Sequence, residues 1–247
     1  MMFFFKPKVI HMDGFTMRPE VHELFPIDYS YKFFPQWWKD MPKVISNEKQ
    51  WWGINTIKSC TGLNNFYANG ITIPMWSDFL IQTDDLKIKW QFSDRQSHCG
   101  SHSFEQMKGY LNPEEYFHLK ISSPWMMTCK EDLDFTWIQH TWAFDKPEEV
   151  IIPPGINGYK FQTGTNINMF AKYAGLGQKK NILIESGQPM VNIIPMSERK
   201  IKLKTHLVDE FEFRKVESRN VPVTFSGLYN SRKKIIQNRE RKCPFGF

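Results

Sequence analysis

The sequence predicts a mainly β protein: an antiparallel β-sandwich or barrel, jelly-roll-like, with a few short helices and a basic C-terminal helix. Three observations predict it. Aromatic residues make up 15% of the chain, with nine Trp and twenty-one Phe, and large rings sit well on half-buried pleated surfaces. Short alternating runs recur between turn residues at the spacing of a sandwich or barrel. The stretch 181–203, NILIESGQPMVNIIPMSERKIKL, reads as two apolar strands joined by a Ser-Gly-Gln-Pro turn, then a third in which Lys alternates with aliphatic residues.

Taken in order, Val9 to Met12 reads as a strand, Asp13-Gly14 as a turn, and Arg18 to Phe25 as a short helix stopped by Pro26. The segment YSYKFFPQWWKDMP follows. Pro35 suits the first turn of a helix carrying Trp37 and Trp38, and Pro42 ends it. Together with Trp51 and Trp52, these rings form either a clamp over a sheet edge or an aromatic binding surface; bulky rings are more often core residues. Asn69-Gly70 is a hairpin signal. Ile71 to Pro74 and Phe79 to Thr83 read as strands, Asp84-Asp85 as a tight turn, and Leu86 to Phe92 as a half-buried strand with Lys87, Lys89 and Gln91 on its wet face. A polar middle, 93–118, carries a short helix near Phe104 to Tyr110. KISSPWMMT, FTWIQHTWAF, EEVIIPPG and NILIESG are further strands, and 204–217 extends as a polar strand or ribbon. The chain divides into an aromatic-rich segment (1–52) packing on the core, a β-rich core domain (53–225), and a protruding basic tail (226–247).

The formal charge is +6, but Arg232, Lys233, Lys234, Arg239, Arg241 and Lys242 cluster in that tail. A polyanion or an acidic protein face is therefore expected to meet the tail rather than the body. The four cysteines, Cys60, Cys99, Cys129 and Cys243, form no C-x-x-C pair, which favours free thiols over a disulfide scaffold. The opening MMFFFKPK has too short an apolar run for a signal peptide, and no stretch approaches a membrane span, so the expected setting is neither secreted nor membrane-bound.

Two constellations suggest metal chemistry. His98-Cys99-Gly100-Ser101-His102, with Glu105 nearby, offers imidazole and thiolate suited to Zn²⁺; Gly100 and the serines speak against the helix that would align the two histidines. His11-Met12-Asp13 matches the H-x-D half of a non-haem iron facial triad, with His206 and Arg214 as the distal histidine and acid-binding arginine. Neither has the spacing of a strong motif, so no cofactor is expected. The chain has no G-x-S-x-G elbow and no phosphate-cradling G-x-x-x-x-G-K-[ST] or G-x-G-x-x-G loop.

Along most of its length the chain resembles a group of uncharacterised proteins of T4-like cyanophages and other marine tailed phages. The resemblance rests on PKVIHMDGFT, FFPQWWKDMP, TIKSC with NGITIPMWSD, KISSPW, TGTNINMF, GQPMVNIIPMSERK and the closing KCPF. It implies a viral setting, in the host cytoplasm or the virion, and an accessory or virion-associated role. The G-x-P-M-V-N-I-I-P strand is also similar to the late strand of trimeric dUTPase-type folds, which implies β topology and no active site.

The sequence thus points to a non-enzymatic phage accessory or virion-associated protein that binds a macromolecular partner, with room for a homo-oligomer. A β-fold metal enzyme, such as an Fe(II)/2-oxoglutarate-type oxygenase, is the alternative.

Overall fold

The computed structural model of the protein describes residues 9–47, 50–107, 109–146, 148–220 and 226–242. The strands are β1 (Val9–Thr16), β2 (Asp28–Tyr29), β3 (Val44–Asn47), β4 (Gln50–Asn55), β5 (Ile71–Pro74), β6 (Phe79–Asp85), β7 (Lys87–Phe92), β8 (Cys99–His102), β9 (Tyr116–Cys129), β10 (Phe135–Gln139), β11 (Val150–Ile151), β12 (Gly155–Asn157), β13 (Gly164–Lys172), β14 (Gly175–Ile184), β15 (Pro189–Pro195) and β16 (Lys200–Leu207). The α-helices are α1 (Pro19–Leu24), α2 (Gln36–Asp40), α3 (Thr61–Ala68), α4 (Glu210–Glu217) and α5 (Ser226–Lys242).

Two large sheets carry the fold, as a sandwich does. One runs β11-β13-β9-β1-β16 with β8 also on β9; the other runs β12-β10-β15-β5-β2. A smaller sheet, β14-β6-β7, and the β3-β4 hairpin complete the set among the described residues. Pairing is antiparallel except for β1 on β16, which is parallel. Neither large sheet closes into a barrel.

The longest strand, β9, shows how the sequence divides core from surface. Phe117, Leu119, Ile121, Trp125, Met127 and Cys129 are buried in the main core cluster, while His118, Lys120 and Ser122 lie on the opposite face, as a period of two requires. Pro124 interrupts this strand without breaking it. The residue sits between the stretch paired with β8 (118–121) and the stretch paired with β1 (126–129), and opposite a register shift in β13. A proline has no N–H for the ladder, and this gap needs none.

The three strands of 181–203 exist as expected, but they do not pair with one another. β14 joins β6, β15 joins β10 and β5, and β16 joins β1. Gly187, at φ 85°, makes the turn that sends the chain from one sheet to the next.

Three local expectations are corrected. Asp13-Gly14 lies inside β1, not in a turn. Gly14 is there because a Cβ would come within 2.4 Å of Ile27 Cδ1. Asn69-Gly70 joins α3 to β5 and makes no hairpin. Residues 210–217 form a helix instead of a ribbon: Asp209 caps α4, its carboxylate accepting from the Glu212 N–H at 2.8 Å. The tail helix α5 is also pinned rather than protruding. Gln237 Nε2 donates to Asp132 Oδ2 at 2.8 Å, Arg232 Nη1 donates to the Arg219 carbonyl, and Lys233 Nζ stands 5.3 Å from the Phe161 ring centroid.

Trp125 is fully buried at the centre of β9. Trp125→Ala is expected to cost about 3–5 kcal/mol, read as a lower urea midpoint; a loss below ~1 kcal/mol would mean that β9 does not organise the core.

Candidate functional site

The outer face of the second sheet is dry where β5 and β15 pair and more open towards β12, where Ile156 is exposed. Residues Ile71–Pro74 of β5 are buried on both sides, so Thr72 and Asn192 face a cover rather than water. Thr72 Oγ1 lies 2.6 Å from Asn192 Oδ1 and 3.0 Å from Ser30 Oγ. The cover is the aromatic segment. Phe34 stacks on Trp38 at 4.6 Å and meets Tyr67 edge-on at 5.0 Å, and Tyr67 stacks on His140 at 5.0 Å. Trp142 lies 5.8 Å from Trp38 and 6.2 Å from Trp37.

Trp38 is therefore a clamp, 3% exposed, whereas Trp37 is 45% exposed at the rim. Trp52 sits apart on the β3-β4 hairpin and is half exposed. The Trp51 side chain lies outside the described residues, as do those of Arg239, Arg241 and Lys242. Of the remaining tail cations, Arg232 and Lys233 hold α5 to the body, and Lys234 is exposed.

The metal constellations come apart in the fold. Cys99 and His102 fall on opposite faces of β8: Cys99 packs against the core, where burial pushes its thiol up to about 12, and His102 points outward opposite His118. His98 is exposed just before the strand. In the second set, His206 Nε2 reaches Asp13 Oδ1 at 2.9 Å. His11 cannot join them, because it lies opposite Lys202, four residues from His206 along β16 and so roughly 13 Å away. Arg214 instead pairs with Glu217 on α4. Among the described residues, no group of three His, Cys, Asp or Glu is arranged to hold a metal ion.

A different site does form, on the polar face of β9. A cleft of about 470 Å³ opens where β13 runs past β11 and leaves an edge, and β10 and β12 of the other sheet wall its far side. Its floor is His118 and Lys120 of β9 with Asn166 and Asn168 of β13; His102 of β8 borders it. Trp137 and Asn157 line the wall. Gly155 must be glycine, since a Cβ there would come within 2.4 Å of the Trp137 indole.

The floor is held rigidly. His118 stacks between His102 (4.5 Å) and Phe170 (4.6 Å), and its Nε2 lies 3.1 Å from Asn168 Oδ1. Ser122 Oγ donates to Asn166 Oδ1 at 3.0 Å. Asn157 Nδ2 is aimed at the carbonyls of Gln162 and Gly164. Burial holds His118 below the usual imidazole range, opposed by Asn168 and assisted by His102 and Lys120. The ring is thus neutral near pH 7. With Asn168 Oδ1 as its acceptor, Nε2 carries the proton and Nδ1 keeps a lone pair. That Nδ1 is buried with no partner among the described residues.

No carboxylate lines this cleft among the described residues. Its chemistry is that of amide donors and acceptors, two imidazoles and one cation, Lys120, which has no ion pair among the described residues. Such a lining recognises hydrogen-bonding groups and has no place for a bare cation. Sequence reading missed the cleft because its members come from β8, β9, β10, β12 and β13. The available signal was TGTNINMF, where Asn166 and Asn168 alternate with Ile167 and Met169 and so had to share a face.

The buried His140 generates a pH prediction. Among the described residues neither ring nitrogen has a partner in good hydrogen-bond geometry, and burial lowers its pKa to about 4 against a weaker opposing pull from the Ser30 and His140 backbone. A histidine kept neutral by the fold contributes its full stability above the unfolded value near 6.5. That contribution drains as pH falls towards 4, because the unfolded chain takes the proton first. The loss is on the order of 3 kcal/mol across this window. Urea midpoints measured through it should fall in the wild type and flatten in His140→Phe; parallel curves would contradict the assignment. The sequence matches no protein-family model, and no curated protein matches it.

Proposed function

We propose that this chain is a non-catalytic recognition protein, viral in setting and accessory to or carried on the virion, that holds a carbohydrate chain of a macromolecular partner in the β9–β13 cleft. The observation that carries this reading is the lining. Asn157, Asn166, Asn168 and the two histidines offer paired donors and acceptors without a carboxylate. A sugar is dense in hydroxyls that both donate and accept, and planar amide and imidazole groups match them.

Two further features support the reading. The volume lies within the range of ligand sites. The floor is preorganised by the His102–His118–Phe170 stack, so little side-chain freedom is lost on binding. Hydrolysis of the bound sugar needs two carboxylates flanking the bond, and the lining offers amides and imidazoles in their place. The sequence resemblance to phage proteins supports the viral setting.

A glycan array probed with the purified chain should give a restricted set of saccharides. Isothermal titration with the best of them should show Asn168→Ala weakening binding by about tenfold or more, the effect of losing one buried polar contact. Lys234→Ala should bind as the wild type. An array with no saccharide above background, or an Asn168→Ala variant of unchanged affinity, would overturn the reading.

A further inference from the structure

A second polar surface lies on the same sheet, beyond the cleft, at the edge formed by β16. Lys200, Lys202 and Lys204 are exposed and share one face of this strand. Alternate residues on a strand stand roughly 6.6 Å apart, so the three ammonium groups form an evenly spaced line. Lys130, at the end of β9, joins Lys202, Lys204 and His11 around a shallow depression of about 290 Å³. Among the described residues, none of these four lysines has a salt-bridge partner.

Asp13 and Glu131 also line this depression, so four cationic or imidazole side chains there face two carboxylates, each of which already accepts a hydrogen bond. Asp13 is bonded to His206 at 2.9 Å, and Glu131 accepts from Cys129 Sγ at 3.2 Å. Asp132 is taken by Gln237 and Lys233 of α5. The basic tail helix is thereby docked on the turn that carries Lys130. At the far end of the line, on the same strand face, His206 stacks on Phe15 at 4.8 Å with ring planes 15° apart. Both rings are only half-buried.

We propose that this edge is a track for single-stranded nucleic acid, independent of the cleft. The lysine step is of the order of the phosphate step along one extended strand, and the Phe15–His206 pair supplies a ring surface on which a base can stack. A single line of charge suits one strand better than a duplex, which presents two backbones across a groove. Edge lysines also deter sheet-to-sheet pairing. Charge anywhere on the edge serves that end, and it calls for neither Lys130 nor the stacked rings.

The test is fluorescence anisotropy of the full chain with a labelled oligothymidylate, over a salt series. Two double variants remove equal charge: Lys202→Gln/Lys204→Gln on β16 and Lys87→Gln/Lys89→Gln on β7. The β16 variant should lose about tenfold or more in affinity, and its salt slope should fall by roughly 1.4, the share of two single-strand phosphate contacts. The β7 variant should match the wild type. The track is refuted if the wild type does not bind, if the two variants behave alike, or if duplex DNA or phosphatidylglycerol vesicles bind more tightly than the single strand. Melting curves of both variants confirm that the fold is intact, since all four lysines are surface residues.

Discussion

Strand β9 imposes a period of two on the sheet at whose centre it lies, between β13 and β1. A strand of fourteen residues shared between β13, β8 and β1 must place every second side chain in the core. Phe117, Leu119, Ile121, Trp125 and Met127 fill that row. The other row is then fixed as well: His118, Lys120 and Ser122 cannot turn inward without a one-residue slip that would expose the whole apolar set. The polar floor of the cleft is thus a consequence of the core, and its rigidity comes from the same ladder.

The two sheets differ in how they finish their outer faces. The first leaves its face open, and the side chains there are charged or hydrogen-bonding apart from Phe15 and Phe170, each stacked on a histidine. Part of the second is covered, where Ser30, Phe34, Trp38 and Tyr67 lie over Thr72, Asn192 and His140. Covering polar groups costs free energy unless they find partners. Thr72 and Asn192 satisfy one another, whereas Asn192 Nδ2 and both nitrogens of His140 do not. Ring stacking and apolar burial by Trp38 and Tyr67 offset that cost. Elsewhere, Arg18 is buried but well matched, bonded to Glu20, Asp94 and Ser97, and Ser97 in turn accepts from Trp76 Nε1. That network fixes the 93–98 loop and so the start of β8, which delivers His102 to the cleft.

Much of this architecture was legible in the residues. Alternation located β7 and β10, because period-two patterning records which face is wet, and runs bounded by turn residues located β5, β6, β9 and β15. Pro35 and Pro42 framed α2 for the same local reasons that the helix exists. What failed were inferences about partners in space. The turn chemistry of Ser186-Gly187-Gln188 is that of a hairpin, yet β14 and β15 enter different sheets. Asp13-Gly14 is turn-like by composition, and only the approach of Ile27 explains the glycine. The D-x-x-E spacing at Asp209 and Glu212 was a readable helix start, hidden behind the alternating lysines of β16. The cleft was the least legible feature, since five strands contribute to it and no two of its floor residues on different strands are near in sequence.

If the polar row of β9 and its neighbours on β13 bind hydroxylated ligands, a saccharide titrated in should move the side-chain amide and imidazole NMR resonances of that row. The largest shifts are expected on the Asn157, Asn166 and Asn168 amides and on the His118 ring, with the signals of Asn181 and Gln82 on the β14-β6 surface unmoved. Shifts centred on the Trp37 rim or on α5, with the three asparagines silent, would contradict it.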